Sequence, residues 1–196
     1  MIRRLITFSS LALIWGILCN CGTYSMLRPA DTLKQGEFEM TGGVAANSIP
    51  ELVAVAQLGV GITDWLEFGA QYEVYSALGQ LRFGLLNSAD HGFALALAVG
   101  GGASSFLENL DDDRDAFDNG VILAGLTMGH RWDFFDLYLG CKSLFLLPLQ
   151  YSINTVKLGA MFTFFDTLIF GLEGGATLHH GFWVAAEGAI HIGFKI

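Results

Sequence analysis

Apolar and polar residues alternate with a period of two along most of the chain after residue 36, which predicts β-strands with two chemically different faces. In the stretch from Trp65 to Tyr75, Phe68 and Ala70 alternate with Glu67 and Gly69. Because a slip of one residue would turn every side chain to the other face, sustained alternation is informative. The ten predicted strands are approximately Glu37–Ala46, Leu52–Thr63, Trp65–Tyr75, Gly79–Leu86, Phe93–Ala103, Val121–Arg131, Phe135–Phe145, Thr155–Phe164, Thr167–Leu178 and Trp183–Ile196.

The connections between these segments alternate between short and long. The short ones are Thr63–Trp65, Asn87–Gly92, Arg131–Phe135 and Phe164–Thr167. The others are Asn47–Glu51, Ser76–Leu78, Ser104–Gly120, Leu146–Asn154 and His179–Phe182. If the strands run up and down, the short turns share one end, an arrangement typical of barrels in the bacterial outer membrane. An even strand number also places both termini at the short-turn, periplasmic end.

Composition decides which solvent the apolar face meets. The chain has a mean hydropathy of +0.49, with 53% apolar and 15% charged residues, a balance that soluble domains rarely have. After the N-terminus there is no apolar run of about 18 residues that could form a membrane helix. The prediction is therefore an all-β, closed, antiparallel up-and-down transmembrane barrel of about ten strands, with eight or twelve as alternatives. A soluble lipocalin-like barrel is the other alternative, but it needs a polar outer face for which this chain has few charges.

The N-terminus has the pattern of an export signal. Arg3 and Arg4 precede an apolar stretch of 14 residues from Leu5 to Leu18, which is short for a membrane span and suits a signal peptide over residues 1–20. An anchoring helix is the alternative. Cys141 lies far from the other two cysteines, so no disulfide framework is expected.

The segment Leu18-Cys19-Asn20-Cys21-Gly22 resembles the processing site of bacterial lipoproteins. The resemblance implies lipidation of Cys21 at the head of the mature chain, with ordinary signal cleavage as the alternative. Asn20 departs from the Gly, Ala or Ser that the family prefers before the cysteine. Residues 21–35 then form an irregular periplasmic segment, called the leader here, and residues 36–196 form the barrel.

The barrel region resembles small bacterial outer-membrane β-barrel proteins. The resemblance rests on the tight hairpin from Gly61 to Gly69 (GITDWLEFG) and on a final strand that alternates through Ile192 and Phe194 to Ile196. That strand looks like the terminal signal read by the barrel-assembly machinery, although Ile196 stands where an aromatic residue is usual. The resemblance implies a location in the Gram-negative outer membrane, with lipids, lipopolysaccharide and the assembly machinery as partners. With 19 acidic against 10 basic residues, a nucleic-acid partner is not expected.

Charged residues recur on the face opposite the apolar one, which would line the lumen. Ten strands leave a lumen little wider than side chains fill, and buried charges in it must pair. The leading hypothesis is a barrel with a charged, plugged lumen and a structural or interaction role, and the alternatives are a narrow porin-like channel and a hydrolase acting on lipid or peptide. The predicted lumen network consists of Glu67, Glu73, Arg82, Arg131, Asp136, Lys142, Lys157, Glu173, Glu187, His191 and Lys195.

Three further patterns contain residue types that can carry chemistry. Five aspartates between Asp111 and Asp118 do not fit a calcium-binding EF-hand loop. Ala116 stands where that loop needs glycine, and Ile122 stands where it needs a bidentate glutamate. His179 and His180 are adjacent, and neighbours on a strand point to opposite faces. Glu187 and His191 share a face but lack a serine nucleophile beside them. No catalytic residue, metal or cofactor is predicted.

Aromatic residues cluster where the barrel would meet the membrane surfaces. Two aromatic girdles are therefore expected at the interfaces. The short-turn girdle comprises Trp65, Trp132, Phe134, Phe135, Phe164 and Phe165, and the opposite one comprises Phe182 and Trp183.

Overall fold

The computed structural model describes residues 27–47, 52–73, 76–104, 119–147, 151–179 and 182–196. Within these ranges no helix is both long and apolar enough to span a bilayer. The strands are β1 Phe38–Asn47, β2 Leu52–Thr63, β3 Leu66–Glu73, β4 Ser76–Leu86, β5 Ala94–Ser104, β6 Asn119–Arg131, β7 Phe135–Leu147, β8 Tyr151–Phe164, β9 Leu168–His179 and β10 Phe182–Lys195.

Each strand pairs with its sequence neighbours in antiparallel orientation, and β1 pairs with β10 to close the barrel. The closing register runs from Glu39 opposite Lys195 to Asn47 opposite Glu187. Closure satisfies the backbone donors and acceptors that two open sheet edges would leave without partners in lipid. The structure thus confirms the predicted closed, up-and-down, ten-stranded barrel.

The side-chain alternation predicted from sequence separates an apolar outside from a mixed inside. On β8, Lys157 is buried while the neighbouring Leu158 is 55% exposed. Large apolar side chains are exposed on every strand of the ring, among them Val44, Leu58, Phe68, Leu81, Leu97, Leu126, Leu139, Leu158, Leu172 and Ile192. An apolar band this continuous has lipid, rather than water, as its solvent.

The aromatic residues predicted for the short-turn girdle lie at that end of the barrel. Trp132 stacks on Phe135, and Phe135 in turn packs against Phe162, with ring centroids 5.4 and 4.9 Å apart. Phe165, in the turn between β8 and β9, is 94% exposed. The side chains of Phe182 and Trp183 lie outside the described set.

Several predicted connections were wrong in their extent, because residues assigned to them belong to strands. Ser76 to Leu78 are the first residues of β4, because Glu73 pairs directly with Ser76 across a two-residue connection. Leu146 and Leu147 belong to β7, and Tyr151 to Asn154 belong to β8. The Asn87–Gly92 connection also contains a short helix, α1 (Ser88–His91), which Asn87 caps by accepting a hydrogen bond from the Asp90 N–H at 2.8 Å.

A charge placed on the outer face tests whether that face meets lipid. Leu158→Arg, at the middle of β8, should lower the free energy of unfolding by about 2–4 kcal/mol in lipid vesicles, because the bilayer midplane disfavours a charge. Leu168→Arg, at the turn-end rim, is the matched control and should cost about 0–1 kcal/mol. Urea unfolding followed by tryptophan fluorescence measures both. Equal, small losses at the two positions would mean that water covers the band.

Candidate functional site

The described part of the leader lies inside the barrel. We call the end with the short turns the turn side and the opposite end the loop side. The leader enters at the turn side, where the Gln35 N–H donates to Asp64 at 3.1 Å and the Gly36 N–H donates to the Gly61 carbonyl at 2.9 Å. Further in, Leu27, Arg28 and Leu33 are 5–6% exposed. Residues 27–33 therefore occupy the turn-side part of the lumen.

Arg28 is the charged centre of this inserted segment. Its Nη2 lies 2.7 Å from Glu39 Oε1, and its Nε lies 3.1 Å from Glu67 Oε1. The other oxygen of Glu67 lies 2.9 Å from Arg82 Nη1, so one carboxylate is shared by two guanidinium groups. Burial lowers the pKa of the Arg28 guanidinium, but the carboxylates of Glu39 and Glu67 together outweigh this effect, so the pKa lies above its ordinary value. Arg28 therefore stays charged.

The leader's backbone is bound by side chains of the barrel wall. The Leu27 N–H donates to both oxygens of Glu173, at 2.9 and 3.1 Å, and Tyr138 Oη donates to the same carboxylate at 2.8 Å. The Leu33 N–H donates to Glu67 Oε2 at 3.1 Å. Arg82 donates to the Pro29 carbonyl. Wall carboxylates and a guanidinium thus bind the leader where strand pairing does not.

Glycines on the inner face make room for the leader. A Cβ atom at Gly59 would overlap the Arg28 guanidinium, and one at Gly61 would overlap the Lys34 carbonyl. A Cβ at Gly140 would lie 2.7 Å from Leu27 Cδ1, and one at Gly84 would lie 2.8 Å from Thr32 Oγ1. At these four positions on β2, β4 and β7, the absence of a side chain therefore leaves room for particular atoms of the leader.

A second polar group spans the middle of the lumen. Lys157 Nζ lies 3.0 Å from Glu187 Oε2, and both side chains are fully buried. Thr177 also donates to Glu187. Lys142 Nζ donates to Gln71 Oε1 at 3.2 Å, and Gln71 donates to Glu73. Buried charges are costly without partners, and here ion pairs and hydrogen bonds connect side chains on β3, β7, β8, β9 and β10.

The loop side of the lumen is lined by both polar and apolar side chains, and the sequence analysis missed the apolar ones. The polar ones include Ser76 and Ser104, at the loop-side ends of β4 and β5. Two groups of buried apolar side chains also lie there, and we call them together the apolar layer. It consists of Leu78, Val121, Leu123, Leu144, Leu146 and Ile153, with Ala45, Val53, Val55 and Ala189. Hydrocarbon side chains make this part of the wall less favourable for water and ions than the charged middle of the lumen.

The remaining predicted network residues lie at the turn-side mouth or stand apart. Arg131 Nε pairs with Asp136 at 2.7 Å, and Lys195 Nζ pairs with Glu37 at 3.4 Å. A cavity of about 80 Å³ at this mouth is lined by Arg131, Asp136 and Lys195, among others. His191 is buried, and its Nδ1 has no hydrogen-bond partner among the described residues. Of the predicted network, Glu67, Arg82 and Glu173 contact the leader, and Glu73, Lys142, Lys157 and Glu187 belong to the middle group, while His191 joins neither.

Sequence reasoning missed Arg28, the residue that links the leader to the wall. It lies in a segment without alternation, so periodicity gave no reason to place it in the lumen. A usable signal was its position: Arg28 is the first basic residue after Arg4 in an otherwise acidic chain.

Several predictions fall on residues outside the described ranges. They concern the signal peptide 1–20, lipidation at Cys21, the aspartates between 111 and 118, and His180. The side chain of His179 is also outside the described set. Among the described residues, no group of three or more potential ligands is placed to hold a metal ion.

Comparison with known proteins gives a likeness in architecture only. No family model and no curated protein matches the chain. A de novo designed transmembrane β-barrel aligns with 14% identity and a TM-score of 0.45, covering 84% of this chain and 99% of the designed one. The N-terminal β-barrel domain of OprF from Pseudomonas aeruginosa aligns with 12% identity and a TM-score of 0.37, covering 84% of this chain and 100% of that domain. These low values say nothing about a shared function.

The carboxylate of Glu67, which Arg28 and Arg82 share, allows a quantitative prediction. Glu67→Gln should lower the free energy of unfolding by about 3–5 kcal/mol, because it leaves Arg82 without its carboxylate and Arg28 with only one. Glu37→Gln removes an ion pair that is 25% exposed on both sides, and should cost about 0–1 kcal/mol. Urea unfolding in lipid vesicles measures both variants. A cost at Glu67 no larger than at Glu37 would show that the buried cluster contributes little.

Proposed function

We propose that this chain is a bacterial outer-membrane β-barrel with a plugged, non-conducting lumen and a structural or interaction role. The observation that carries the proposal is that the two ends of the lumen are occupied by different material. The leader occupies the turn side through Arg28, and the apolar layer lines part of the loop side. An ion crossing the barrel would have to displace the first and dehydrate in the second.

The fit of the leader supports plugging rather than loose association. A cavity between Leu27, Arg28 and the wall residues Arg82 and Lys142 measures about 20 Å³. That volume holds about one water molecule, which is too little for a continuous column of water. A Cβ atom at Gly59 or Gly61 would overlap the seated leader, so these wall positions fit the segment where it lies.

The outer-membrane address is supported by the apolar band and by where the chain ends lie. β1 begins and β10 ends at the turn side, as expected for a barrel inserted from the periplasm. The proposed partners are outer-membrane lipids, lipopolysaccharide and the barrel-assembly machinery, and Cys21 is the proposed lipidation site. Each follows from the sequence resemblance rather than from contacts in the barrel.

The hydrolase alternative is not favoured by the geometry. Glu187 and His191 are four residues apart on β10, which separates their backbones by about 13 Å. Glu187 is engaged by Lys157 and Thr177, and no described hydroxyl hydrogen-bonds to His191 Nδ1. A base and nucleophile within hydrogen-bond reach, which such catalysis needs, are not brought together at His191.

Conductance separates the plugged barrel from the porin-like alternative. The purified full-length protein, reconstituted in planar bilayers, should give no discrete current steps, because both ends of the lumen are filled. A boil-dependent shift in gel migration of the same sample serves as the control for folding. Reproducible single-channel steps from folded protein would overturn the proposal in favour of a narrow channel.

Two closures in series make a stricter test. Deleting residues 27–34 should leave the barrel non-conducting, because the apolar layer remains. Replacing Leu123, Leu144 and Ile153 with serine should also give no current, because the leader remains. The combined variant should conduct, with cations preferred, because the wall carboxylates then outnumber the wall cations. Conductance from the leader deletion alone would mean that the apolar layer is not a barrier. A combined variant that folds but stays silent would contradict the two-closure account.

A further inference from the structure

We propose that a small cavity between the leader and the barrel wall binds one monatomic anion, such as chloride. We call this space the inner cavity. It measures about 20 Å³ and is lined by Leu27 and Arg28 of the leader and by Arg82, Thr127 and Lys142 of the wall, among others. The proposal rests on the seated leader of the proposed function, because the leader forms one side of the cavity, but it concerns a ligand rather than conductance.

The charged side chains that border the inner cavity are all cations in the described part of the chain. Arg28, Arg82 and Lys142 are 3–5% exposed, so each is removed from water. The carboxylates that pair with the two arginines, those of Glu39 and Glu67, are not among the described residues that line the cavity. An anion in this space would therefore face three cations and no carboxylate. Buried like charges are costly, and a counter-ion between them offsets that cost.

Lys142 differs from the two arginines in having no direct ion pair. Both arginines pair with Glu67, whereas no described carboxylate forms an ion pair with Lys142. Lys142 Nζ donates to Gln71 at 3.2 Å, and its link to the carboxylate of Glu73 runs through that neutral amide. An ammonium group has three N–H donors, and a buried one is stabilised by a counter-ion at hydrogen-bond distance. An anion in the inner cavity would be that counter-ion.

The hydrogen-bonding groups around the cavity favour an anion over a water molecule. Arginine and lysine side chains donate but cannot accept. Arg28 Nη1 is buried and donates to no described residue. The Thr127 hydroxyl and the Gln80 amide, which also line the cavity, are further donors. A water molecule also has two hydrogens to donate, which the three cations cannot accept, whereas an anion only accepts.

The volume of the inner cavity limits the size of the ligand. About 20 Å³ holds about one water molecule, and a chloride ion is only slightly larger. Polyatomic anions such as phosphate and gluconate are too large for this space. Leu27, Ala98 and Leu123 complete the lining with hydrocarbon, which offers no polar partner to a larger ligand. The site is therefore selective for monatomic anions, and it is complete only while the leader is seated.

Thermal unfolding of the full-length protein in detergent micelles, followed by circular dichroism, tests the site. Sodium chloride is compared with sodium gluconate at equal ionic strength, so that charge screening is the same in both salts. Chloride should raise the melting temperature by about 3–6 °C for each tenfold rise in concentration above its dissociation constant, because it binds only the folded barrel. Gluconate should give no such rise. Equal responses to the two salts would mean that the cavity holds water, and would overturn the proposal.

Variants separate the inner cavity from other cations of the barrel. Lys142→Met should abolish the chloride-specific rise. Lys195→Met is the matched control and should keep it, because Lys195 lies at the mouth beside Glu37 and is not among the residues that line the inner cavity. A chloride response that persists in Lys142→Met, or that is lost in both variants, would contradict the site.

A milder change keeps the test decisive if Lys142→Met does not fold. Thr127→Val keeps the shape of the side chain but removes a hydroxyl donor from the inner cavity. It should raise the chloride concentration needed for half of the effect by about tenfold, because a hydrogen bond to a charged group is lost. An unchanged chloride dependence would count against the site.

Bromide gives a direct readout, because its anomalous X-ray scattering distinguishes it from water. A crystal of the full-length protein grown in bromide should show an anomalous peak between Arg82 and Lys142, and a water molecule there without anomalous signal would refute the proposal. None of these readouts is a current. A barrel that carries no current and ignores chloride would keep the plug and lose the anion site, whereas a conducting barrel stabilised by chloride would do the reverse.

Discussion

The requirement that every backbone N–H and C=O be paired away from water determines the rest of this structure. In hydrocarbon an unpaired peptide group costs several kcal/mol, so a sheet with two free edges could not cross a bilayer. Pairing β1 with β10 removes both edges at once. Closure in turn fixes which face of each strand meets lipid, and it commits the opposite face to a narrow enclosed space.

The enclosed space buries carboxylates, and isolated buried carboxylates would be strongly destabilising. At the turn side, Arg82 of the wall pairs with Glu67. Arg28 adds a cation beside Glu39 and Glu67, and the leader's backbone N–H groups supply donors for Glu67 and Glu173. The leader is thus part of the lumen's charge balance, even though it contributes nothing to the sheet.

The sequence predicts the wall of this barrel well and its contents poorly, for physical reasons. A period of two is imposed by the pleat, so Glu67, Lys157 and Leu158 could be assigned to faces from alternation alone. Arg28 could not, because an irregular segment has no period and its position depends on contacts more than 100 residues away, such as that of Leu27 with Glu173. The apolar layer was missed for a different reason. Where both faces are apolar, as from Val121 to Leu123 and from Leu144 to Leu147, alternation carries no signal and the inward residues look like the outward ones.

The two kinds of contact inside the barrel differ in how they could be undone. The apolar layer is made of side chains carried by the strands themselves, so it changes only if the wall is deformed or repacked. The leader is held by ion pairs and hydrogen bonds to the wall, and these contacts can be lost while the ring of strands stays paired. The proposed plug therefore rests on contacts outside the sheet, and its stability can be changed at Arg28 or Glu67 without altering the strand pairing that closes the barrel.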